Sequence, residues 1–287
     1  MNINTKKLQN GFEMPIFGLG TWTIGGDMVR NPQSDDEADI RAIKNAIDAG
    51  ITHIDTAQRY AQEHTEWLVG QAIRGYDRSK LFIVTKLQNP AYHDILSSFQ
   101  DSLDRLETNY VDLLLIHGPS LKIPLIATMS AMNKLVKDKL VKHIGVSNFA
   151  LPRLKRAQEL SECPIVTNQV HYNLIYREPE RTRLLKYCQK NDILLTAWRP
   201  IEGGILCQKG TPIVDKMCRK YQKTPAQIAI NWLISQPNVV TISKTTDQKH
   251  LEENLGAVGW TMEEEDIEQL RNSFPNQQDV SNCVPLI

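Results

Sequence analysis

The sequence predicts an α/β fold, a single (β/α)8 (TIM) barrel that spans residues 1–287 and carries an N-terminal β-hairpin across the barrel bottom. Short apolar runs of strand length alternate with amphipathic segments of helix length along the whole chain. Eight such runs are present, and no change in composition is long enough to be a linker between domains.

The first elements are a hairpin, a strand and a helix. Asn10 and Gly11 lie between two short arms that contain apolar residues, a pattern that predicts a type I′ hairpin turn. Residues 16–21 follow as the first barrel strand. A capping stretch at residues 34–37 begins a helix that ends at Gly50, because glycine commonly stops helices.

The later elements repeat this unit. Further strands are predicted at residues 53–57, 81–86, 111–117, 143–147, 165–170, 193–198 and 239–244. Helices are predicted at residues 65–73, 94–106, 124–139, 151–162, 179–191 and 213–236, with others starting near Gln248 and Glu263. We expect Pro225 to break the helix over 213–236, and an irregular tail from Pro275 onward.

A doubly wound dinucleotide-binding fold is the alternative architecture, because Gly18 and Gly20 form a GxG pair after a strand. That fingerprint needs a third glycine three residues later, at the start of a helix. Thr23 stands there and no helix begins, so the barrel is favoured.

Composition excludes several classes of protein. The 33 basic and 33 acidic residues balance, which gives no electrostatic reason to expect nucleic-acid binding. No apolar run approaches the roughly 20 residues of a membrane span, and residues 1–7 lack the apolar core of a signal peptide, so we expect a cytoplasmic protein. The five cysteines are odd in number and form no CxxC motif, which favours reduced thiols over disulfides or zinc ligands.

Ionisable side chains close three successive predicted strands. Asp55 ends the second strand, Lys86 the third and His117 the fourth, and Tyr60 lies just beyond the second. Each alone could cap a turn, reach the rim or pack in a loop. Together, at the barrel end where enzymes of this fold place their active sites, they predict a catalytic site.

This set of side chains suits proton donation to a carbonyl oxygen. Tyrosine, with a pKa of about 10, is a poor acid at neutral pH unless a cation stabilises its phenolate, and Lys86 could be that cation. Asp55 could keep the buried lysine charged, and His117 could orient the carbonyl group. The chain has no HExxH, GxSxG or P-loop motif and no metal is expected, so metal-dependent hydrolysis, serine esterase chemistry and phosphoryl transfer lose support.

Several motifs together resemble those of the aldo-keto reductases of bacterial type with a short C-terminal tail, in order and spacing over almost the whole chain. In chain order they are Gly18-Leu19-Gly20-Thr21-Trp22, Ile54-Asp55-Thr56-Ala57 with Tyr60, Val84-Thr85-Lys86, Leu115-Ile116-His117, Gly145-Val146-Ser147-Asn148-Phe149, Asn168-Gln169-Val170, Thr224-Pro225-Ala226-Gln227 and Lys244-Thr245-Thr246. The resemblance implies an NADP-dependent reductase of aldehydes and ketones. It also implies that Asp55, Tyr60, Lys86 and His117 are the catalytic tetrad and that Tyr60 is the proton donor.

The same resemblance implies a set of cofactor-binding residues. Ser147, Asn148 and Gln169 match residues that hold the nicotinamide amide, and Trp198 matches an aromatic ring stacked on the nicotinamide, although it could instead be a core aromatic. Gly203 and Gly204 would let a loop pass close to the pyrophosphate, or could form only a turn. The full implied set is Gly20, Thr21, Asp55, Ser147, Asn148, Gln169, Trp198, Arg199, Pro200, Gly203, Lys244, Thr245, His250, Glu253 and Asn254.

The resemblance places the adenosine 2′-phosphate near Lys244 and Thr245, just before a predicted helix N-terminus that favours anions. Glu253 and Asn254 match adenine contacts. His250 stands where NADPH-specific relatives commonly have arginine, and histidine lacks the bidentate fork of arginine. We therefore expect NADPH, with NADH possible.

Two departures from the family pattern concern the substrate pocket. Gly118 and Pro119 follow His117 where many relatives have tryptophan, and the tail is short, so we expect an open pocket with Trp22 and His117 in its wall. Arg199 could attract an anionic substrate or the pyrophosphate, or could be a structural ion-pair partner.

A regulatory subunit that binds the nicotinamide cofactor with little turnover is the alternative function, because some aldo-keto-reductase-like proteins are channel subunits. The complete tetrad favours an enzyme that acts on a small-molecule carbonyl substrate. We expect no nucleic-acid or membrane partner, and a monomer by default.

Overall fold

Eight parallel strands form a closed barrel in the computed structural model, which describes residues 3–88, 92–120 and 122–287. The antiparallel hairpin strands are β1 (Thr5–Lys7) and β2 (Glu13–Pro15). The barrel strands are β3 (Phe17–Gly20), β4 (His53–Asp55), β5 (Phe82–Leu87), β6 (Val111–Ile116), β7 (Val141–Ser147), β8 (Ile165–His171), β9 (Leu194–Trp198) and β10 (Val239–Ser243). They neighbour one another in chain order, and β10 closes on β3, so the predicted barrel is confirmed.

The helices lie between the strands and after the last one. They are α1 (Asp36–Asp48), α2 (His64–Ile73), α3 (Tyr92–Arg105), α4 (Leu125–Lys137), α5 (Leu151–Leu160), α6 (Glu178–Arg181), α7 (Leu184–Lys190), α8 (Pro212–Tyr221), α9 (Pro225–Ile234), α10 (Gln248–Leu255) and α11 (Glu264–Ser273). The break at Pro225 is confirmed, and Thr224 caps α9 in a capping box with Gln227. The helix predicted over 179–191 is instead two helices, because Arg183 takes a left-handed φ of 62°.

The N-terminal hairpin is confirmed, but its turn is not type I′. That turn requires positive φ at both Asn10 and Gly11. Among the described residues of this turn only Gly11 has positive φ, at 87°, and its N–H donates to the Leu8 carbonyl at 3.0 Å. The pattern fits a three-residue hairpin loop, in which a turn over residues 8–11 ends in a left-handed glycine and leaves a bulge.

The hairpin covers the end of the barrel where the strands begin. Phe12 packs edge-on against Phe82 at the start of β5 and against His143, with ring centroids 6.0 and 4.7 Å apart. Lys6 Nζ donates to the carbonyl of Val239, the first residue of β10, at 2.6 Å. The opposite end, where the strands finish, remains for a functional site.

The glycine that suggested a dinucleotide fingerprint serves packing instead. A Cβ on Gly18 would lie 2.4 Å from Nδ1 of His53, whose imidazole is fully buried beside it on β4. Such a distance is well inside van der Waals contact, so only glycine fits there. Gly20 has no comparable restriction, since a Cβ would meet Ile242 at an ordinary 3.7 Å.

None of the helices in the described part of the chain is long and apolar enough to cross a membrane. That residues 1–287 form one domain stays a prediction.

Candidate active site

The four predicted catalytic residues lie at the ends of neighbouring strands. Asp55 is the last residue of β4, and His117 directly follows β6. Asp55 pairs in register with Val84, so Lys86 lies two residues further along β5 and points to the same face as Val84. Tyr60 comes from the loop after β4. The structure therefore brings all four to one end of the barrel.

Lys86 forms the centre of the group. Its Nζ lies 2.5 Å from Asp55 Oδ1, 2.8 Å from the Thr56 carbonyl and 3.2 Å from Tyr60 Oη. Lys86 and Asp55 are buried, and Tyr60 is nearly so. A charged lysine in this environment needs its acceptors, and here a carboxylate, a carbonyl and a phenol oxygen supply them.

The pKa values of this group follow from burial and charge. Burial acts to lower the pKa of Lys86, but the attraction of Asp55 and Tyr60 outweighs it and raises that pKa above its ordinary value. Burial raises the pKa of Tyr60, and Lys86 opposes this rise without cancelling it. Lys86 was expected to stabilise the phenolate, and its charge does lower the Tyr60 pKa, but burial raises that pKa by more.

His117 completes the group as a neutral imidazole. Burial, and after it the charge of Lys86, holds its pKa well below the ordinary value of 6.5. Its Nδ1 is buried and has no hydrogen-bond partner among the described residues. The His117 and Trp22 rings both approach the Tyr60 ring edge-on, with centroids at 5.5 and 4.9 Å. The phenol is thus fixed between two aromatic rings.

The turn after Tyr60 is strained. Ala61, Gln62 and Glu63 have positive φ values of 48°, 51° and 73°, a conformation that costs energy for residues other than glycine. Main-chain N–H groups of this turn donate to the carbonyls of Asp27 at 2.7 Å and Met28 at 3.2 Å. The loop after β3 therefore holds the turn that carries Tyr60, a contact that the sequence alone did not reveal.

A single cavity of about 620 Å³ extends from the tetrad across the strand ends to the N-terminus of α10. Most of the predicted site residues line it: Gly20, Trp22, Asp55, Tyr60, His117, Ser147, Asn148, Gln169, Trp198, Arg199, Pro200, Gly203, Lys244, Thr245, His250, Glu253 and Asn254. The lining residues that the sequence did not single out for the site are Thr23, Ile201, Cys207, Cys283 and Val284.

Two predicted site residues lie behind the cavity wall. Lys86 contacts the Tyr60 hydroxyl on the side away from the cavity and does not line the cavity itself. Thr21, predicted to bind the cofactor, is fully buried, and both its N–H and its hydroxyl donate to the Asp55 carbonyl at 2.9 Å. It fixes the end of β4 instead of facing the cavity.

The residues predicted to hold the amide group of nicotinamide form hydrogen bonds with one another and with the tetrad. Gln169 Nε2 donates to Asp55 Oδ2 at 2.8 Å, and Ser147 Oγ donates to the Gln169 carbonyl at 2.8 Å. Asn148 Nδ2 donates to the His117 carbonyl at 3.2 Å. Their side chains are therefore held in fixed positions at the wall, as recognition of a planar amide requires.

The loop after β9 is shaped by glycines and an ion pair. Gly203 and Gly204 have φ values of 61° and 96°, so the turn there depends on glycine. Arg199 Nη1 lies 3.2 Å from Glu202 Oε1, which makes it an ion-pair partner as well as a lining residue. The C-terminal tail reaches the site, since Cys283 and Val284 line the cavity, and an open pocket stays a prediction.

The far end of the cavity carries charges of both signs. Lys244 and Thr245 precede α10, as predicted. Asp247 caps that helix by accepting a hydrogen bond from the His250 N–H at 2.9 Å, and this bond lowers the pKa of the Asp247 carboxyl. No role was predicted for Asp247, although an acidic residue just before a helix is a recognised capping signal.

These observations fit a nicotinamide dinucleotide. One cavity joins the Tyr60 phenol at one end to a lysine beside a helix N-terminus at the other, and the hydrogen-bonded side chains predicted to hold an amide lie between them. Next to that phenol, His117 presents a ring nitrogen with no partner among the described residues. Within those same residues no group of three or more His, Cys, Asp or Glu side chains could hold a metal ion.

Comparison with known proteins gives consistent matches. The model of the Aldo/keto reductase family matches residues 17–273. A glyoxal reductase from Bacillus subtilis (strain 168) is 34% identical over 93% of this chain and 91% of its own. A thermostable aldo-keto reductase solved with the inhibitor epalrestat is 42% identical, with a TM-score of 0.89 over 93% of this chain and 98% of its own. An aldo-keto reductase from Klebsiella pneumoniae solved with NADPH is 30% identical, with a TM-score of 0.83 and 98% coverage of both chains.

Proposed function

Because the chain belongs to the aldo/keto reductase family, we propose that it reduces aldehydes or ketones to alcohols, with Tyr60 as the proton donor. One observation carries this proposal: Lys86 Nζ bridges Asp55 Oδ1 and Tyr60 Oη at 2.5 and 3.2 Å, at the end of the cavity. A phenol held next to a paired cation is a general acid whose conjugate base is stabilised at the moment it forms.

The roles of the chain's own residues follow from their positions. A reduced nicotinamide, when bound, supplies the hydride. Tyr60 holds its proton at neutral pH, because a tyrosine pKa is ordinarily about 10 and burial raises it further, and Tyr60 donates that proton to the carbonyl oxygen. Lys86 stabilises the phenolate that is left behind. His117 is neutral, because burial lowers its pKa, so it can orient the carbonyl oxygen without competing as an acid.

NADPH is the proposed cofactor, with NADH as a usable substitute. The Klebsiella pneumoniae relative was solved with NADPH, and Lys244 lines the cavity beside the N-terminus of α10. Selectivity against NADH is proposed to be modest. Asp247 adds a negative charge there, and the exposed His250 cannot make the bidentate contact of an arginine.

Small aldehydes and dicarbonyls are the proposed substrates. The Bacillus subtilis relative is a glyoxal reductase, and Trp22, Cys283 and Val284 line the cavity here, with Trp22 against the Tyr60 ring. The proposed working unit is a monomer.

The test is a spectrophotometric assay of NADPH and NADH oxidation with glyoxal, methylglyoxal, an aromatic aldehyde and a keto acid. Wild-type protein should turn over at least one aldehyde. Tyr60→Phe should lose roughly 100-fold or more in kcat, as expected for the loss of a general acid, and keep its cofactor affinity. Full activity in Tyr60→Phe contradicts the assigned proton donor. Tight NADPH binding without turnover of any carbonyl compound would instead support a regulatory subunit.

A further inference from the structure

The Trp198 ring is the middle wall of the cavity, and a second ring lies directly behind it. His171, on the neighbouring strand β8, stacks on Trp198 with centroids 4.2 Å apart and planes inclined by only 9°. Tyr176 covers the other face of His171 at 4.4 Å and 29°. Trp198 also lines the cavity, so the imidazole is the surface against which the indole rests.

His171 cannot rotate in its plane. It is 2% exposed, and both ring nitrogens are bonded: Nε2 lies 2.7 Å from Glu202 Oε2, and Nδ1 lies 2.8 Å from Ser281 Oγ. Ser281 belongs to the C-terminal tail, 110 residues further along the chain. The ring that supports Trp198 is therefore held by two buried partners on different segments.

The hydrogen bonds around His171 determine which ring nitrogen carries the proton. Ser281 Oγ accepts hydrogen bonds from the N–H groups of Cys283 at 3.1 Å and Val284 at 3.0 Å, which uses both of its lone pairs. Its own proton must then be donated, and the partner in line is Nδ1 of His171. Nδ1 is therefore an acceptor in this arrangement.

Glu202 fixes the other nitrogen. Its carboxylate also accepts hydrogen bonds from Asn173 Nδ2 at 2.8 Å and Arg199 Nη1 at 3.2 Å. The guanidinium of Arg199 and the hydrogen bond from Asn173 favour the ionised form of this carboxylate. An ionised carboxylate can only accept, so Nε2 carries the proton and His171 is a neutral imidazole.

The tail serine is itself fixed by a buried carboxylate. Glu178 Oε2 accepts the N–H of Ser281 at 3.0 Å, and Glu178 Oε1 accepts the N–H of Leu286 at 3.1 Å. Glu178 is 5% exposed. The tail is thus bonded both to the body of the barrel and to the ring behind Trp198.

The edge of the indole is fixed as well, since Trp198 Nε1 donates to Asn148 Oδ1 at 3.3 Å. We propose that His171 is a positioning residue: its neutral imidazole, with the tautomer set by Ser281 and Glu202, holds the Trp198 ring as a preformed stacking face for the nicotinamide. The inference rests on the proposed function, because it requires a nicotinamide in this cavity. In this proposal His171 does not contact the cofactor and acts only through Trp198.

Preorganisation of Trp198 has a measurable consequence. Without the backing ring, the indole must be ordered when the cofactor binds, and part of the binding energy is lost. An aromatic pair contributes enough to change a dissociation constant roughly 2- to 12-fold. His171→Leu should therefore raise the Kd for NADPH and NADH about 3- to 10-fold. His171→Phe keeps a flat ring and should recover most of that loss.

A double-mutant cycle separates positioning from a general loss of structure. The Kd for NADPH is measured by titration calorimetry for wild type, His171→Leu, Trp198→Leu and the double variant. If His171 acts through Trp198, His171→Leu should change the Kd less than about 2-fold once Trp198 is absent. His143→Leu, at the hairpin end of the barrel, is the matched control and should leave the Kd and the near-ultraviolet circular dichroism of the tryptophans unchanged.

Either of two results overturns the inference: His171→Leu with wild-type affinity, or the same loss in the presence and absence of Trp198. If His171→Leu fails to fold, nitrogen-15 NMR of the histidines in wild-type protein still tests it. The spectrum should show His171 as the neutral Nε2–H tautomer, and an imidazolium or Nδ1–H form contradicts the assignment. Failure of the wild type to bind NADPH or NADH would instead refute the proposed function, whereas bound cofactor without turnover would refute only its catalytic part.

Discussion

Lys86 and Asp55 form a salt bridge of 2.5 Å between side chains that are 0% and 1% exposed. Removal of either partner leaves the other as an uncompensated charge in the barrel interior. Such a loss is strongly destabilising, whereas replacing both charges by neutral groups of similar volume often is not. Stability and catalysis can therefore be separated at this pair.

Lys86→Met should lower the free energy of unfolding by about 3–5 kcal/mol, because it leaves the Asp55 carboxylate unpaired. The double variant Asp55→Asn with Lys86→Met should recover most of this loss, since no buried charge remains. Neither protein should reduce aldehydes, because Tyr60 has lost the cation that stabilises its phenolate. Urea denaturation and the NADPH oxidation assay measure the two effects. A double variant whose losses simply add contradicts the assigned pairing.

The charges at the far end of the cavity predict how cofactor choice can be changed. His250→Arg should lower the Kd for NADPH roughly 3- to 10-fold, because a solvent-exposed guanidinium adds part of a charge-assisted hydrogen bond to the 2′-phosphate. The Kd for NADH, which lacks that phosphate, should stay the same. Lys244→Met should have the opposite effect on NADPH and again none on NADH. Equal changes for both cofactors would place the phosphate elsewhere.

The two glycines of β3 should differ in their tolerance of a methyl group. Gly18→Ala should destabilise the protein by about 1–3 kcal/mol, because its Cβ would lie 2.4 Å from Nδ1 of His53. Gly20→Ala is the matched control on the same strand, and its Cβ would meet Ile242 at 3.7 Å. It should cost less in thermal or urea unfolding. Adding His53→Ala to Gly18→Ala should relieve the clash and remove part of the penalty, and no such coupling would refute the packing assignment.

The buried imidazole of His53 predicts acid sensitivity. Burial lowers its pKa to about 4, and neither ring nitrogen has a hydrogen-bond partner among the described residues. Below about pH 6.5 the unfolded chain gains a proton on His53 that the folded protein does not accept, so stability falls with pH until about pH 4. The loss should reach about 3 kcal/mol. His53→Leu should show a smaller decrease between pH 7 and pH 4.5 in urea unfolding; an identical pH dependence would contradict this account.

Local sequence patterns determined the architecture. The alternation of strand-length and helix-length segments predicted eight parallel strands, and each lies within a few residues of its predicted place. The positions of Asp55, Lys86 and His117 followed from the rule that parallel strands end at the same face of a barrel. Such features depend on spacing along the chain, so they can be seen without coordinates.

Contacts between distant segments were decided only by the tertiary structure. The sequence could not show that His171 backs Trp198 or that Ser281 bonds to that imidazole, because 110 residues separate the two bonded side chains. Nor could it show that Gly18 is restricted by the ring of His53 on the next strand.

The combined effect of burial and charge on the pKa of a side chain also depends on the tertiary structure. The sequence paired Lys86 with Asp55 and Tyr60 and gave the sign of the effect of Lys86 on the Tyr60 pKa, but not the larger, opposite effect of burial. The reason is that desolvation depends on all the atoms packed around a group, whereas a motif names only its charged neighbours. The sequence thus determined which residues meet at the strand ends, and packing alone decided the direction of the Tyr60 pKa shift and which side chains order the cavity wall around it.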